Sequence, residues 1–259
     1  DMPAPKPRAR IHAVGTLSDS TIAEMFRLFE KYYVDVSEGQ FRSDLMEKTH
    51  VFMFRAPSSH ELIGFSTIFR KRIPSVGSGV FLFSGDTVIR EDYWGSKVLQ
   101  TTFLRYILGT KLANPFQPVY WMLISKGFKT YMMMRKNFGA SFPRDARETP
   151  SVMQGIKDRF YAWKYGSAYD AASGLITFET SHGAVKGQVA APNAYQLRNQ
   201  DVRFFLERNP RYQEGVELAC VAKIRFADIG ALLVGYPVKA FVKRRRLAQP
   251  ELAVSVQRK

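Results

Sequence analysis

The sequence has one cysteine, Cys220, and so no internal disulfide. Its four histidines, His12, His50, His60 and His182, are scattered without metal-ligand spacing, and no metal is expected. Carboxylates are scarce: 23 Asp and Glu stand against 38 Lys and Arg, a formal net charge of +15. Such an imbalance sets up a positive field that draws in anionic partners. Those in view are a nucleotide-bearing molecule, an acidic carrier protein or peptide, an anionic membrane surface, and nucleic acid. No apolar run approaches the roughly 20 residues needed to span a bilayer. The Pro-rich, basic opening DMPAPKPRARIH has no apolar core, so a secretory signal is not expected there and residues 1–10 read as a flexible basic arm. Together these features point to a cytoplasmic protein, soluble or peripheral to the inner face of the membrane.

With 259 residues, 46% of them hydrophobic, the chain can bury a full core. Ile11 to Val14 reads as a strand, and Ser18 as the N-cap of a helix through Tyr33 with Ile22, Met25, Phe26 and Phe29 on one face. Val34 to Gln40 reads as a loop and Phe41 to Lys48 as a short helix. His50 to Arg55 and Leu62 to Arg70 form a hairpin around APSSHE. The centre of the chain is GVFLFSGDTVIREDYWGSKVLQTTFLRYILG, Gly79 to Gly109, which reads as strand, tight turn and helix. A junction of that kind aims unpaired backbone N–H groups and the positive end of the helix dipole at one spot, a common seat for phosphate. Val119 to Ser125 follows as a buried strand and Gly127 to Phe138 as a helix. Beyond Pro143 the pattern weakens to a helix from Ser151 to Tyr165 with Ser151 as its cap, short strands at Leu175 to Phe178 and Val185 to Val189, a helix from Asp201 to Arg208, and a strand from Glu217 to Phe226. This order predicts a mixed α/β fold: a mostly antiparallel central sheet flanked by helices, with a C-terminal extension.

The residues of the central junction resemble the GNAT acyltransferase superfamily. In that family a strand end pairs with the pantetheine arm of an acyl thioester, and the following Arg/Gln-x-x-Gly-x-Gly/Ala turn holds the pyrophosphate of coenzyme A. Thr87, Val88 and Ile89 match the strand end. Arg90, Trp94, Gly95, Ser96, Lys97 and Val98 match the turn and helix start. Only one of the paired glycines is present, with Lys97 at the second position, and Asn137 replaces the glycine before the terminal Phe138 of the next helix. The resemblance covers about Ile11 to Phe142. It divides the chain into the arm, a thioester-binding core over 11–145, and an extension over 146–259 that completes the sheet and the acceptor or acyl pocket.

Acyl transfer to an amine needs a neutral amine, polarisation of the thioester carbonyl and a proton for the leaving sulfur. Asp86, a carboxylate amid VFLFSG and TVI, is a residue that would be costly to bury without a role. It is read as binding or deprotonating the amine, against the plainer reading that it pairs with an arginine or caps a bulge at Gly85. The family's tyrosine acid aligns with Met133, which leaves Tyr131 as the nearest candidate. The resemblance implies an acyl-CoA or acyl carrier protein thioester as donor, with an amino acid, peptide or amino lipid as acceptor. The atypical turn, the extension, and the apolar segment Ile229 to Val242 ahead of Lys243 to Arg246 favour a fatty-acyl donor. The alternative is a non-catalytic basic module for an anionic membrane surface or nucleic acid. No helix-turn-helix, zinc finger or RNA-binding sheet motif supports the nucleic-acid form.

Overall fold

Strand and helix periods alternate along the chain, and a computed structural model places them in one sheet with helices on both faces. The structure describes residues 7–33, 36–93, 96–178 and 191–230. The strands are β1 (Arg8–Ala13), β2 (His50–Arg55), β3 (Leu62–Lys71), β4 (Val80–Ile89), β5 (Val119–Ser125), β6 (Ser141–Phe142), β7 (Tyr169–Asp170), β8 (Leu175–Ile176) and β9 (Glu217–Lys223). Among the described residues they form a nine-stranded sheet in the order β1-β2-β3-β4-β5-β9-β8-β7, with β6 also on β9. Only the β4–β5 pair is parallel within it. The mixed, mostly antiparallel sheet read from the sequence is the one observed.

Among the described residues up to 224, the α-helices are α1 (Asp19–Phe29), α2 (Glu38–Met46), α3 (Val98–Ala113), α4 (Phe128–Asn137), α5 (Ser151–Tyr165) and α6 (Gln200–Arg208). Side chains alternate across a strand, so Phe65 and Phe69 of β3 lie on one face of the sheet. Phe65 packs with Ile22, Met25, Phe41 and Leu45 under α1 and α2. Phe69 packs with Phe81, Phe83, Ile156 and Phe160 under α5. Two apolar clusters therefore sit side by side on that face. The opposite face is covered by α3, whose Phe103 meets Phe52 at 6.3 Å and Trp121 at 4.8 Å between ring centroids.

Several boundaries differ from the sequence reading. β1 starts at Arg8, three positions before Ile11, because its ladder with β2 continues to Arg8↔Arg55 and takes in part of the expected arm. α2 starts at Glu38 inside the expected loop, where the Ser37 hydroxyl accepts from the Gln40 N–H. Ser18 caps α1 as read, accepting from Thr21 N–H, but the helix stops at Phe29. Ser151 is the first residue of α5 and not its cap, since Pro150 holds that position. His50 is half-buried against Tyr106, 2.9 Å from its hydroxyl. The expected strand at Val185 to Val189 lies outside the described residues, as do positions 231–242 of the apolar segment and all of Lys243 to Arg246.

By contact the chain divides into Asp1–Ile224 and Arg225–Lys259. In the second unit, residues 226–230 are helical and Arg225 pairs with Asp228 at 2.7 Å. Among the described residues no helix is long and apolar enough to cross a membrane.

Candidate active site

β4 begins as an ordinary buried strand. Val80 to Phe83 run parallel to Val119 to Met122 of β5, and all four β4 side chains are buried. The pairing then ends although both strands go on, β4 to Ile89 and β5 to Ser125. β5 keeps its partner on the other edge, where Tyr120 to Ser125 pair with Lys223 to Leu218 of β9. It is β4 that departs. A wedge opens between Ser84–Ile89 and the end of β5, and no strand among the described residues lies on that edge of β4.

A bulge marks the point of departure. On β3, Ser66 pairs with Thr87 and Ile68 with Ser84, so the single residue Thr67 faces both Gly85 and Asp86. The extra residue bends β4 and re-aims its side chains. A Cβ at position 85 would run into Thr67 Oγ1 and would come within 2.8 Å of Lys48 Cε, so any side chain there must displace Thr67 and Lys48. The bulge lies between the two apolar clusters.

Two carboxylates from different strands border the recess at this wedge, both within electrostatic reach of Tyr33 and Tyr165. Asp86 is half-buried and forms no ion pair closer than 4 Å among the described residues. Burial pushes its carboxyl above the usual range, the positive charges of Lys48 and Lys164 pull it down, and Asp44 adds to the rise. Glu217 opens β9 on the same face as Ala219 and Val221, next to Ile176 across the ladder. Burial pushes it up to about 7, with Lys126 acting in the other direction. Two tyrosines feel both carboxylates: Tyr33 after α1 and Tyr165 at the end of α5, each raised by burial and by the charges of Asp86 and Glu217. Tyr33 reaches the Thr87 carbonyl at 3.5 Å, and Tyr165 sets its ring edge-on to Phe83 and Phe178. Lys164 lies over the Phe83 ring at 5.2 Å, and burial and Lys48 lower its ammonium. A carboxylate that titrates near neutrality can take a proton from an ammonium group that another carboxylate holds.

The turn after β4 departs from the sequence reading at two residues. Arg90 has no free fork for a phosphate: it binds Asp92 through Nε and Nη2 at 3.1 and 2.7 Å, and Glu61 through Nη1 at 2.9 Å. Glu61 is far away in sequence and meets Arg90 only because β3 and β4 pair. Tyr131 is a second correction. It lies in the core, 1% exposed, and its hydroxyl donates to the Pro143 carbonyl at 3.0 Å. Burial raises its phenol, which is sealed beneath Phe204 and Phe205 of α6 and away from the wedge. The remaining residues fall at the junction. Val88 is buried in the α1/α2 cluster, Thr87 is exposed with its hydroxyl 2.7 Å from that of Ser66, and Ile89 pairs with Gly64. Ser96 is exposed, Lys97 precedes α3, and Val98 is its first residue. The Lys97 side chain makes no cap hydrogen bond to α3. Trp94 and Gly95 lie outside the described residues. Lys97 adopts φ 58°, the left-handed conformation that glycine favours, so the backbone keeps the glycine-like turn although the residue is lysine.

Trp121 and Tyr120 of β5 are core aromatics; the Trp121 indole N–H donates to the Ser84 hydroxyl at 2.9 Å. Glu217, Tyr33, Tyr165 and Lys164 were not singled out from the sequence. Glu217 carried a usable signal, since it is the one charge entering the apolar run ELACVA. Among the described residues no three His, Cys, Asp or Glu side chains gather as metal ligands.

The fold and site define a mixed α/β protein with a bulged strand parting from its parallel neighbour and two half-buried carboxylates that both act on Tyr33 and Tyr165. The chain is similar over about half its length to solved structures that include N-acyltransferases. A GNAT-family N-acetyltransferase, YhbS, from Escherichia coli in complex with CoA matches at 11% identity and a TM-score of 0.39, over 54% of this chain and 72% of that one. An acyl-CoA N-acyltransferase from Pseudomonas aeruginosa matches at 16% identity and 0.39, over 52% and 89%. Escherichia coli ElaA matches at 17% identity and 0.36, over 56% and 94%. No protein-family model and no curated protein matches the sequence.

Proposed function

We propose that this chain is an N-acyltransferase of the GNAT type, moving an acyl group from a coenzyme A thioester to an amine. The observation that carries this reading is the parting of β4 from β5 directly beside the recess that holds Asp86 and Glu217. The residues fit such a donor at two places. The stretch of β4 that has parted from β5 suits an extended amide-bearing arm, and the start of α3 at Ser96, Lys97 and Val98 suits a pyrophosphate, with the Lys97 ammonium replacing the charge that Arg90 has committed elsewhere. The bound thioester supplies the activated acyl carbon.

The chain's own residues prepare the amine. An alkyl ammonium with a pKa of about 10 is almost fully protonated at neutral pH. Asp86 holds it, and Glu217, pushed up to about 7, takes the proton at a carboxylate oxygen. Tyr33 and Tyr165, kept neutral by burial, wall the recess and exclude water.

At finer grain the reading takes a fatty-acyl group, from coenzyme A or an acyl carrier protein, and an amino acid, peptide or amino lipid as acceptor. What supports it is the added aromatic wall of Tyr161, Tyr165 and Phe178, contributed by the segment between β6 and β9 and packed against Phe83. Titration with coenzyme A and acyl-coenzymes of increasing chain length, followed by thiol release with a panel of amines, tests both grains. Binding that tightens with chain length, and thiol release that needs the amine, is the expected result. Turnover with acetyl-coenzyme A alone removes the fatty-acyl part, and absence of any coenzyme A binding removes the whole.

A further inference from the structure

We propose that the hollow between β1 and the start of α1 is a binding site for a small organic phosphate, held by Arg8 and Arg10. The hollow has a volume of about 540 Å³ and is lined by Arg8, Arg10, His12, Leu17, Met53 and Arg55, together with Thr16, Ser18, Thr21 and His60. That size lies within the roughly 300–1,000 Å³ of small-molecule sites. It sits at the β1 edge of the sheet, three strands from β4, and shares no lining residue with the acyl-transfer recess.

Its charge is one-sided. Arg8, Arg10 and His12 alternate along β1 and so project from one face of this edge strand. Arg8 stands directly opposite Arg55 in the ladder, a like-charge juxtaposition that costs stability. Arg55 is neutralised, its guanidinium binding both Glu24 oxygens at 3.0 and 2.7 Å. Neither Arg8 nor Arg10 has a carboxylate partner among the described residues, and the lining contains no Asp or Glu. Single edge charges discourage strand-to-strand association, but that role needs neither a hollow nor two cations turned into it.

Two guanidinium forks roughly 7 Å apart along one strand can grip several oxygens of a phosphoryl group from both sides. The nearby hydroxyls are already engaged, Thr16 donating to the Ala13 carbonyl and Ser18 capping α1, so the arginines carry the recognition. Leu17 and Met53 give the apolar wall that a carbon skeleton needs and a free phosphate does not.

Calorimetric titration with glucose 6-phosphate and with inorganic phosphate, followed in parallel by NMR of the histidine ring signals, tests the site. Glucose 6-phosphate should bind with a dissociation constant of about 1 mM or below, and inorganic phosphate more weakly. The ring signals of His12 and His60 should shift while that of His50 does not. Arg8→Ala/Arg10→Ala, and separately Arg8→Gln/Arg10→Gln, should weaken binding roughly tenfold or more with an unchanged circular dichroism spectrum. Unshifted His12 and His60 signals, or double variants that bind as well as the parent, would overturn the site. Equal affinity for inorganic phosphate would overturn its organic specificity.

Discussion

The two halves of β4 are governed by different physics. Val80 to Phe83 is apolar, buried on both sides and paired on both edges, and its sequence is set by packing: Phe81 stacks on Tyr120 at 5.5 Å and on Phe160 at 5.8 Å between centroids. Ser84 to Thr87 is polar and bulged, the strand from Ser84 on loses its β5 neighbour, and it carries a glycine crowded by Thr67 and a carboxylate with no ion pair among the described residues. One half contributes stability and the other carries the residue assigned to the amine in the proposed reaction. The strand forgoes ladder hydrogen bonds and burial of apolar side chains where chemistry is proposed, as functional segments often do.

Changes in the two halves should therefore separate cleanly. Phe81→Ala in the packed half should lower stability by about 3–5 kcal/mol, read by denaturant melting; a loss below about 1 kcal/mol would mean that this half is not core-governed. In the recess, Glu217→Gln should slow amine acylation by about a hundredfold or more while the fold persists. Its effect on stability has a defined sign. The folded carboxyl is raised from the ordinary 4.5 to about 7, so the folded chain holds that proton more tightly than the unfolded chain does. Wild-type stability conferred by the neutral carboxyl is then full below pH 4.5 and falls as pH rises to about 7. Glu217→Gln should abolish that decline, and above pH 7 it should be the more stable form by at most ~3 kcal/mol. Melting curves from pH 4 to 8 that fall in parallel for both forms would contradict this burial.

Gly85→Ala at the boundary should cost about 1–3 kcal/mol and reduce acylation as well, because the new methyl displaces Thr67 or Lys48. Retained stability together with full activity would show that the bulge tolerates a side chain. The smallest effect belongs to Lys97→Gly. Relief of left-handed strain and the added freedom of the unfolded chain nearly cancel, leaving a change under about 1 kcal/mol. Coenzyme A affinity, by contrast, should fall with the lost ammonium, and calorimetry on the variant reads it.

The packed half of β4 was legible from the sequence, as was most of the sheet, because apolar runs and turn residues are local signals. Asp86 was legible for the same reason, as a charge in an apolar strand. Glu217 shows that pattern too, but its place in the recess depends on β9 returning to β5 after the long segment that follows β6, and no local signal encodes that pairing. Arg90 misled because its second partner, Glu61, comes from the turn just before β3. Tyr131 misled because alignment along α4 fixes a position in sequence and not the face toward the wedge. Lys97 shows the reverse: the residue departs from the glycine pattern while the backbone keeps its conformation.

The central claim is that Glu217 accepts the proton of the amine. The pH dependence of thiol release from an acyl-coenzyme A, measured with an accepted amine for the wild type and for Glu217→Gln, tests it most directly. Activity of the wild type should rise with pH through a limb near 7, and that limb should vanish in the variant together with most of the rate. The same limb in both proteins, or an undiminished rate in the variant, would contradict it.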